Sequence, residues 1–401
     1  MGESGIDEAG MGEAGGTGHP MKMIMSHITA ARFWMAYGSS GFPRVRNDEA
    51  AFGRRPFGSD MPAIADALAA SAPRGEASPR GRVAEEAFER IGELGLIGSD
   101  GKVHLLFARQ GDRRRSKRVV AHSCGHSLPA GSILPVAPSL SVCSPALTFV
   151  QLGTMLPQSL LAIFGMQLCG IHAVDPLDAN STGEIERGLE GRRDGALPNR
   201  AALMTVGKLS GYLDLMPGLT GRNRALSALR LVGERSRSPM ESVAFLLLCS
   251  PPSVGGFGLP RSRLNCTIEL PTWLHRGIDP IGGRLAGEGA RTVPYAEADM
   301  LFSYRGRKAI VDYHGEAPHE GERNLHHDAL RANAFQDLGI PNFALTKRQL
   351  FDDALLEKAA LQIAGCLGFR SRSRIEDAFA RRRRFRRELL SGVLSEWWGI
   401  R

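Results

Sequence analysis

Ala296-Glu297-Ala298-Asp299-Met300-Leu301-Phe302-Ser303-Tyr304-Arg305-Gly306-Arg307-Lys308-Ala309-Ile310-Val311-Asp312-Tyr313-His314-Gly315 decides the reading of the second half of the chain. Two strand-like stretches, Ala296–Phe302 and Ala309–Tyr313, flank a basic turn at Ser303–Lys308. Short apolar runs on either side of a Gly-containing turn are a β-hairpin signal. Each strand carries an acid near one end, Asp299 on the first and Asp312 on the return. Two carboxylates brought together on neighbouring strands are what a site for one or two Mg²⁺ ions needs, because hard cations take oxygen ligands and activate water for attack at phosphorus. Lys308 lies four residues before Asp312 and therefore on the same face of that strand.

The frame extends in both directions. Ser238-Pro239-Met240-Glu241 opens a helix, with Ser238 as the cap, Pro239 in the first turn and the apolar run Ala244–Cys249 behind it. Glu241 suits the positive end of that helix whether or not it has chemistry to do. A strand at Cys266–Leu270 follows, then a Gly-rich excursion at Trp273–Thr292. Beyond the hairpin come His319, the pair His326-His327, and a helix with Asp328, Arg331 and Asn333. Leu338-Gly339-Ile340 and a last strand, Phe343–Thr346, complete the frame.

This order resembles the PD-(D/E)XK restriction-endonuclease-like superfamily, and within it the branch related to very-short-patch-repair endonucleases. That resemblance covers about 115 residues by direct count, Ser238 to Asp352. It implies a central mixed sheet flanked by helices and Mg²⁺-dependent cleavage of a DNA phosphodiester. The implied metal ligands are Asp299, Asp312 and Glu241. His314 and His319 are implied as proton-transfer or phosphate-contacting groups, and Arg331 as a nucleic-acid contact. Two residues depart from the family pattern. Asp312 stands where the family has Glu, one methylene longer. His314 stands where it has Asp, or Lys in the wider superfamily. Two readings stay open: a divergent hydrolase, or an inactive DNA-binding regulator or antitoxin on a degenerate nuclease scaffold.

Upstream, residues 1–22 are Gly-rich and acidic and expected to be disordered. Ser26 is placed to cap a helix through Ile28, Ala31, Phe33, Trp34 and Tyr37. Further helices are expected at Met61–Ala70 and Val83–Leu94. A strand at Val103–Phe107 follows the turn Asp100-Gly101, an order compatible with a winged-helix region over 23–100. The basic loop Asp112–Lys117 precedes strands at Arg118–His122 and Ile133–Val136, then helices opening at Ser144-Pro145 and Ser159. Arg118, His122, Leu128-Pro129-Ala130-Gly131 and Ser144-Pro145-Ala146-Leu147-Thr148-Phe149-Val150-Gln151-Leu152 occur in an order that resembles an abortive-infection-antitoxin module. In uncharacterised actinobacterial proteins this module precedes a nuclease-like domain. The expected organisation is a 101–225 antitoxin-like module, a 226–369 nuclease-like domain and a 370–401 basic amphipathic helix, in an α/β (α+β) protein.

The formal net charge is +8 over 401 residues, unevenly spread. Residues 370–401 hold ten Arg and four acids, a net of +6, and Asp112–Arg118 adds +4. Arg381, Arg382, Arg383, Arg384, Arg386 and Arg387 form a helical run suited to a phosphate backbone. Trp397 and Trp398 at its end suit a protein partner instead. Six scattered cysteines without a CxxC pair, and no secretory or membrane-spanning signal, point to reduced thiols and a cytoplasmic setting. His122-x-Cys124-x-His126 lacks the second half that a zinc site requires. Oligomeric state is not legible.

Overall fold

The computed structural model describes residues 23–38, 42, 45, 82–98, 100–107, 117–137, 140–174, 200–271, 292–314, 332–333, 335–370 and 376–394. It is a mixed α/β protein with two mixed sheets. The first has five strands in the order β3-β2-β1-β5-β4. These are β1 (Met23–Met25), β2 (Val103–Phe107), β3 (Val119–Ser123), β4 (Ile133–Ala137) and β5 (Leu140–Cys143). β1 runs parallel to β5 and antiparallel to β2, and β2 runs parallel to β3. Residues expected in the 23–100 region and in the 101–225 module therefore share one sheet.

Helix α1 (His27–Ala36) leaves β1 directly and is tied to β5 by a hydrogen bond from Trp34 Nε1 to the Cys143 carbonyl (2.7 Å). Ser26 occupies its N-cap position, but the hydroxyl makes no capping bond; it sits 3.1 Å from His27 Nδ1. His27 itself has φ +46. That conformation turns the chain sharply from strand to helix and points Ser26 Oγ at the ring rather than at the first-turn amides. Helix α2 (Arg82–Glu93) precedes β2, and the expected helix at 61–70 lies outside the described residues. Helix α3 (Pro145–Leu152) begins as its sequence dictates, Ser144 Oγ accepting the Leu147 N–H and Pro145 at the first position. Helix α4 (Gln158–Cys169) is buried along most of its length.

α5 (Val206–Leu215) and α6 (Arg222–Leu229) bridge to the second half. α6 starts at Gly221, and a Cβ there would lie 2.4 Å from the Val150 carbonyl oxygen, so only glycine lets α6 meet the end of α3. α7 (Pro239–Cys249) is capped by Ser238, whose hydroxyl accepts the Glu241 N–H, and is buried from Pro239 to Leu248.

The second sheet has four strands in the order β6-β7-β8-β9. They are β6 (Arg263–Pro271), β7 (Thr292–Tyr304), β8 (Arg307–His314) and β9 (Asn342–Thr346). The first three are antiparallel and β9 runs parallel to β8. The β7–β8 turn is only Arg305-Gly306, with φ +48 and +80. Positive φ at both central residues marks the primed turn whose twist matches its strands. Ser303, Tyr304, Arg307 and Lys308, expected in the turn, are strand residues.

α7 and α9 (Asp353–Leu367) pack on this sheet, against Met300, Phe302, Ala309 and Val311. Leu301, Ile310, Ile268 and Ala298 form a smaller core with Phe335 and Ile340. The short helix α8 (Lys347–Phe351) begins in a capping box between Thr346 and Gln349. The last helix, α10 (Glu376–Leu394), lies across α4 and α7 and buries Phe385 and Leu389 in the main core, which runs without a break from β1 to α10. No helix among the described residues is long and apolar enough to cross a membrane.

Candidate functional site

Asp299 and Asp312 face each other on β7 and β8 at a level where the ladder opens. Met300 pairs with Val311, but the pairing is not continued to the next residues. Side chains take over from the backbone there. The Asp299 N–H donates to Asp312 Oδ1 (3.2 Å), and the Tyr313 N–H donates to Asp299 Oδ2 (2.8 Å). Each carboxylate thus satisfies a main-chain donor that the missing ladder step would strand. Asp312 is only 5% exposed, while Asp299 is half-buried.

The same level continues into β6. Leu264 pairs with Met300 and Cys266 with Ala298, leaving Asn265 between them, opposite Asp299. Asn265 has φ +44, a conformation Asn tolerates better than most residues. Its Nδ2 donates to the Arg235 carbonyl (2.8 Å) and to Glu241 Oε2 (2.7 Å). The Arg237 N–H donates to that same Glu241 oxygen (2.9 Å), and the Arg237 guanidinium pairs with Glu297 on β7. Glu241, Asn265, Asp299 and Asp312 therefore form one polar row crossing from α7 through three strands. Burial pushes the Glu241 carboxyl above its ordinary value; the bonds from Arg237, Asn265 and Ser238 and the Arg237 charge work against that rise.

Asn265 was not singled out by its sequence context. Its only signal was an Asn interrupting a strand run, and the strand begins at Arg263 rather than at Cys266. His314 ends β8, exposed, two residues beyond Asp312 and on the same strand face. His319 and Arg331, with His326, His327 and Asp328, lie outside the described residues.

Glu241, Asp299 and Asp312 do not converge as one three-carboxylate ligand set. Oxygens of all three accept main-chain N–H groups, Asn265 stands between Glu241 and the Asp pair, and Glu241 is buried where charge is disfavoured. Among the described residues no three His, Cys, Asp or Glu side chains are grouped so as to hold a metal ion.

The arginines of the C-terminal helix are largely engaged by the protein itself. Arg382 is buried, pairs with Glu357 (3.3 Å) and stacks over Phe257 with its guanidinium 4.0 Å from the ring centre. Arg383 and Arg386 both pair with Asp353 (3.1 and 3.0 Å), and Arg384 pairs with Glu388 (2.8 Å). Arg381 and Arg387 are exposed and in no ion pair among the described residues. Trp397 and Trp398 lie outside them.

A second cluster sits in the first sheet. His122, noted in sequence for its place in the module, joins two histidines that were not linked to it. His104 Nδ1 and His122 Nε2 are 2.9 Å apart, and the His27 ring stacks on His122 with centres 3.5 Å apart. Gln151, from the same module motif, accepts the His27 N–H through Oε1 (3.2 Å). Cys124 takes no part in this cluster; its thiol contacts the His126 carbonyl.

Compared with known protein families, curated proteins and solved structures, the chain matches no family model, no curated protein and no solved structure.

Proposed function

We propose that the protein binds DNA through a nuclease-like α/β scaffold whose carboxylates act as structural acceptors rather than as a hydrolytic centre. The observation that carries this reading is the reciprocal use of Asp299 and Asp312 as acceptors for the backbone amides of Asp299 and Tyr313. The scaffold half is supported by the element order: α7, three antiparallel strands, a helical turn around Phe335, and β9 parallel to β8. That is the arrangement the restriction-endonuclease resemblance implies, with one Asp on its second strand and one on its third. The DNA half is supported by the net charge of +8.

The reading is tested with Asp299→Asn and Asp312→Asn, which keep an acceptor oxygen at each site. DNA binding in EDTA, followed by fluorescence anisotropy, is expected to be unchanged in both. Supercoiled plasmid is expected to stay intact with Mg²⁺ or Mn²⁺. Loss of all DNA binding by the wild-type protein at low salt would sink the proposal.

A second reading, Mg²⁺-dependent phosphodiester hydrolysis, is favoured by one feature: Asp299 and Asp312 stand opposite each other on neighbouring strands. Plasmid nicking by the wild-type protein that disappears in Asp299→Asn would establish it in place of the first.

A further inference from the structure

A groove of about 720 Å³ opens beside the β7–β8 hairpin, and its basic side chains lie outside the C-terminal arginine run. Arg263 from β6 and Arg307 and Lys308 from the start of β8 line it, opposite the Gly339–Pro341 segment that leads into β9. All three cations are exposed, and none is in an ion pair among the described residues. Arg307 lies over the end of α9, where a Cβ on Gly368 would come 3.2 Å from its terminal nitrogen. Glu269 is the acid among the described lining residues. The contrast with α10 is direct. Four of its six run arginines are held by Asp353, Glu357 and Glu388, so their charge is already matched within the fold. The groove cations have kept theirs.

We infer that this groove seats the sugar-phosphate backbone of DNA, with Arg263, Arg307 and Lys308 as its phosphate contacts; the inference rests on the DNA-binding reading above. The lining supports backbone recognition rather than base recognition, since among the described lining residues there is no aromatic ring on which a base would stack. Its floor supports the same placement. Leu301, which lines it, lies two residues from Asp299 on β7, about 7 Å along the strand. A backbone held by the three cations would run toward the polar row.

The test compares the triple variant Arg263→Glu/Arg307→Glu/Lys308→Glu with the control Arg230→Glu/Lys358→Glu, two exposed cations outside both the groove and the α10 run, using a fluorescein-labelled DNA duplex across a salt series. Three lost phosphate contacts should flatten the log K against log salt slope by about 2.7 and weaken binding at least tenfold at about 50 mM salt. The control should keep the wild-type slope. If the wild type binds and the triple variant binds equally well with the same slope, the groove is not the seat and DNA binding stands without it. A wild type that binds no duplex but sticks to heparin through these three residues overturns the DNA reading while leaving a polyanion groove. Heparin retention unaffected by the triple substitution would then overturn the groove as well. A circular-dichroism melt of each variant confirms that these exposed changes leave the fold intact.

Discussion

Asn265 concentrates two costs at one position. Its φ of +44 disfavours any side chain with a bulky Cβ, and its Nδ2 is a donor to buried Glu241. Asn265→Ala should therefore lose roughly 2–4 kcal/mol, combining backbone strain with a carboxylate stripped of a donor. Asn265→Gly should recover part of that loss, because glycine accepts the backbone conformation but not the hydrogen bonds. Urea unfolding of the three proteins measures both steps, and equal midpoints would show that the polar row contributes nothing. The row also explains what could be seen at the level of single residues. Glu241, Asp299 and Asp312 were recognisable because acids in apolar runs stand out. Their partners were not, since Asn265 is joined to Glu241 by packing across 24 residues and to Asp299 by register.

At the scale of elements, α10 shows how a regular pattern carries one message and hides another. Its apolar period was readable as a helix, and Phe385 and Leu389 are indeed buried. The partners of Arg382, Arg383 and Arg386 lie on α9, 25 to 33 residues upstream, where no local pattern reveals them, whereas Arg384 pairs with Glu388 one turn on in α10 itself. The docking surface is equally silent in sequence: Gly255 has φ +119, and a Cβ there would lie 2.5 Å from Phe385 Cβ and 2.7 Å from the Arg381 carbonyl. Gly255→Ala is expected to lower stability by about 3 kcal/mol or more through strain and overpacking. Faster cleavage of α10 in limited proteolysis would accompany it; unchanged stability and cleavage would mean α10 is not seated there. Strands show the same limit. β2, β4 and the β7–β8 hairpin are legible as apolar-rich stretches of five or more residues bounded by turn or basic segments, whereas β1 and β5, with three and four residues, are too short to show a period. The hairpin turn is shorter than its sequence suggests because Arg305 takes the left-handed position where Asn or Gly is the usual signal.

The molecule as a whole has an acid-sensitive interior. Burial holds His104 down to about 4, with Arg32 and Lys102 adding to the drop and Asp100 opposing it. Burial also holds His172 down to about 3, helped by Arg200 and opposed by its bond to the Ser236 carbonyl. Both folded values lie below the unfolded histidine value of about 6.5, so the unfolded chain takes up more protons as pH falls. Their contribution to stability is fully present above that value and is lost as pH falls toward about 4 and then about 3. Glu241 acts in the opposite sense, its raised value favouring the fold at lower pH and losing that contribution as pH rises through it. Between about pH 6.5 and 5, above most carboxylate titrations, the histidines dominate. Unfolding free energy is expected to fall there with a slope approaching about 1.4 kcal/mol per pH unit for each of them. Urea titrations at pH 7.5, 6.0 and 5.0 measure it, and a flat profile would refute it. His104→Gln should flatten the profile partially, leaving the His172 share.

The reach of α10 also sets an order of events on the ribosome. Ser159 on α4 hydrogen-bonds Glu388 at 2.6 Å, although 229 residues separate them. At ordinary synthesis rates those residues take about 10–50 s to appear. Throughout that interval the first sheet has been made, yet the flank of α4 that α10 will cover is wet and sticky. Newborn chains of this protein must pass through a stage at which the earliest-made half is waiting for its cover, and that stage is where a chaperone would have most to hold.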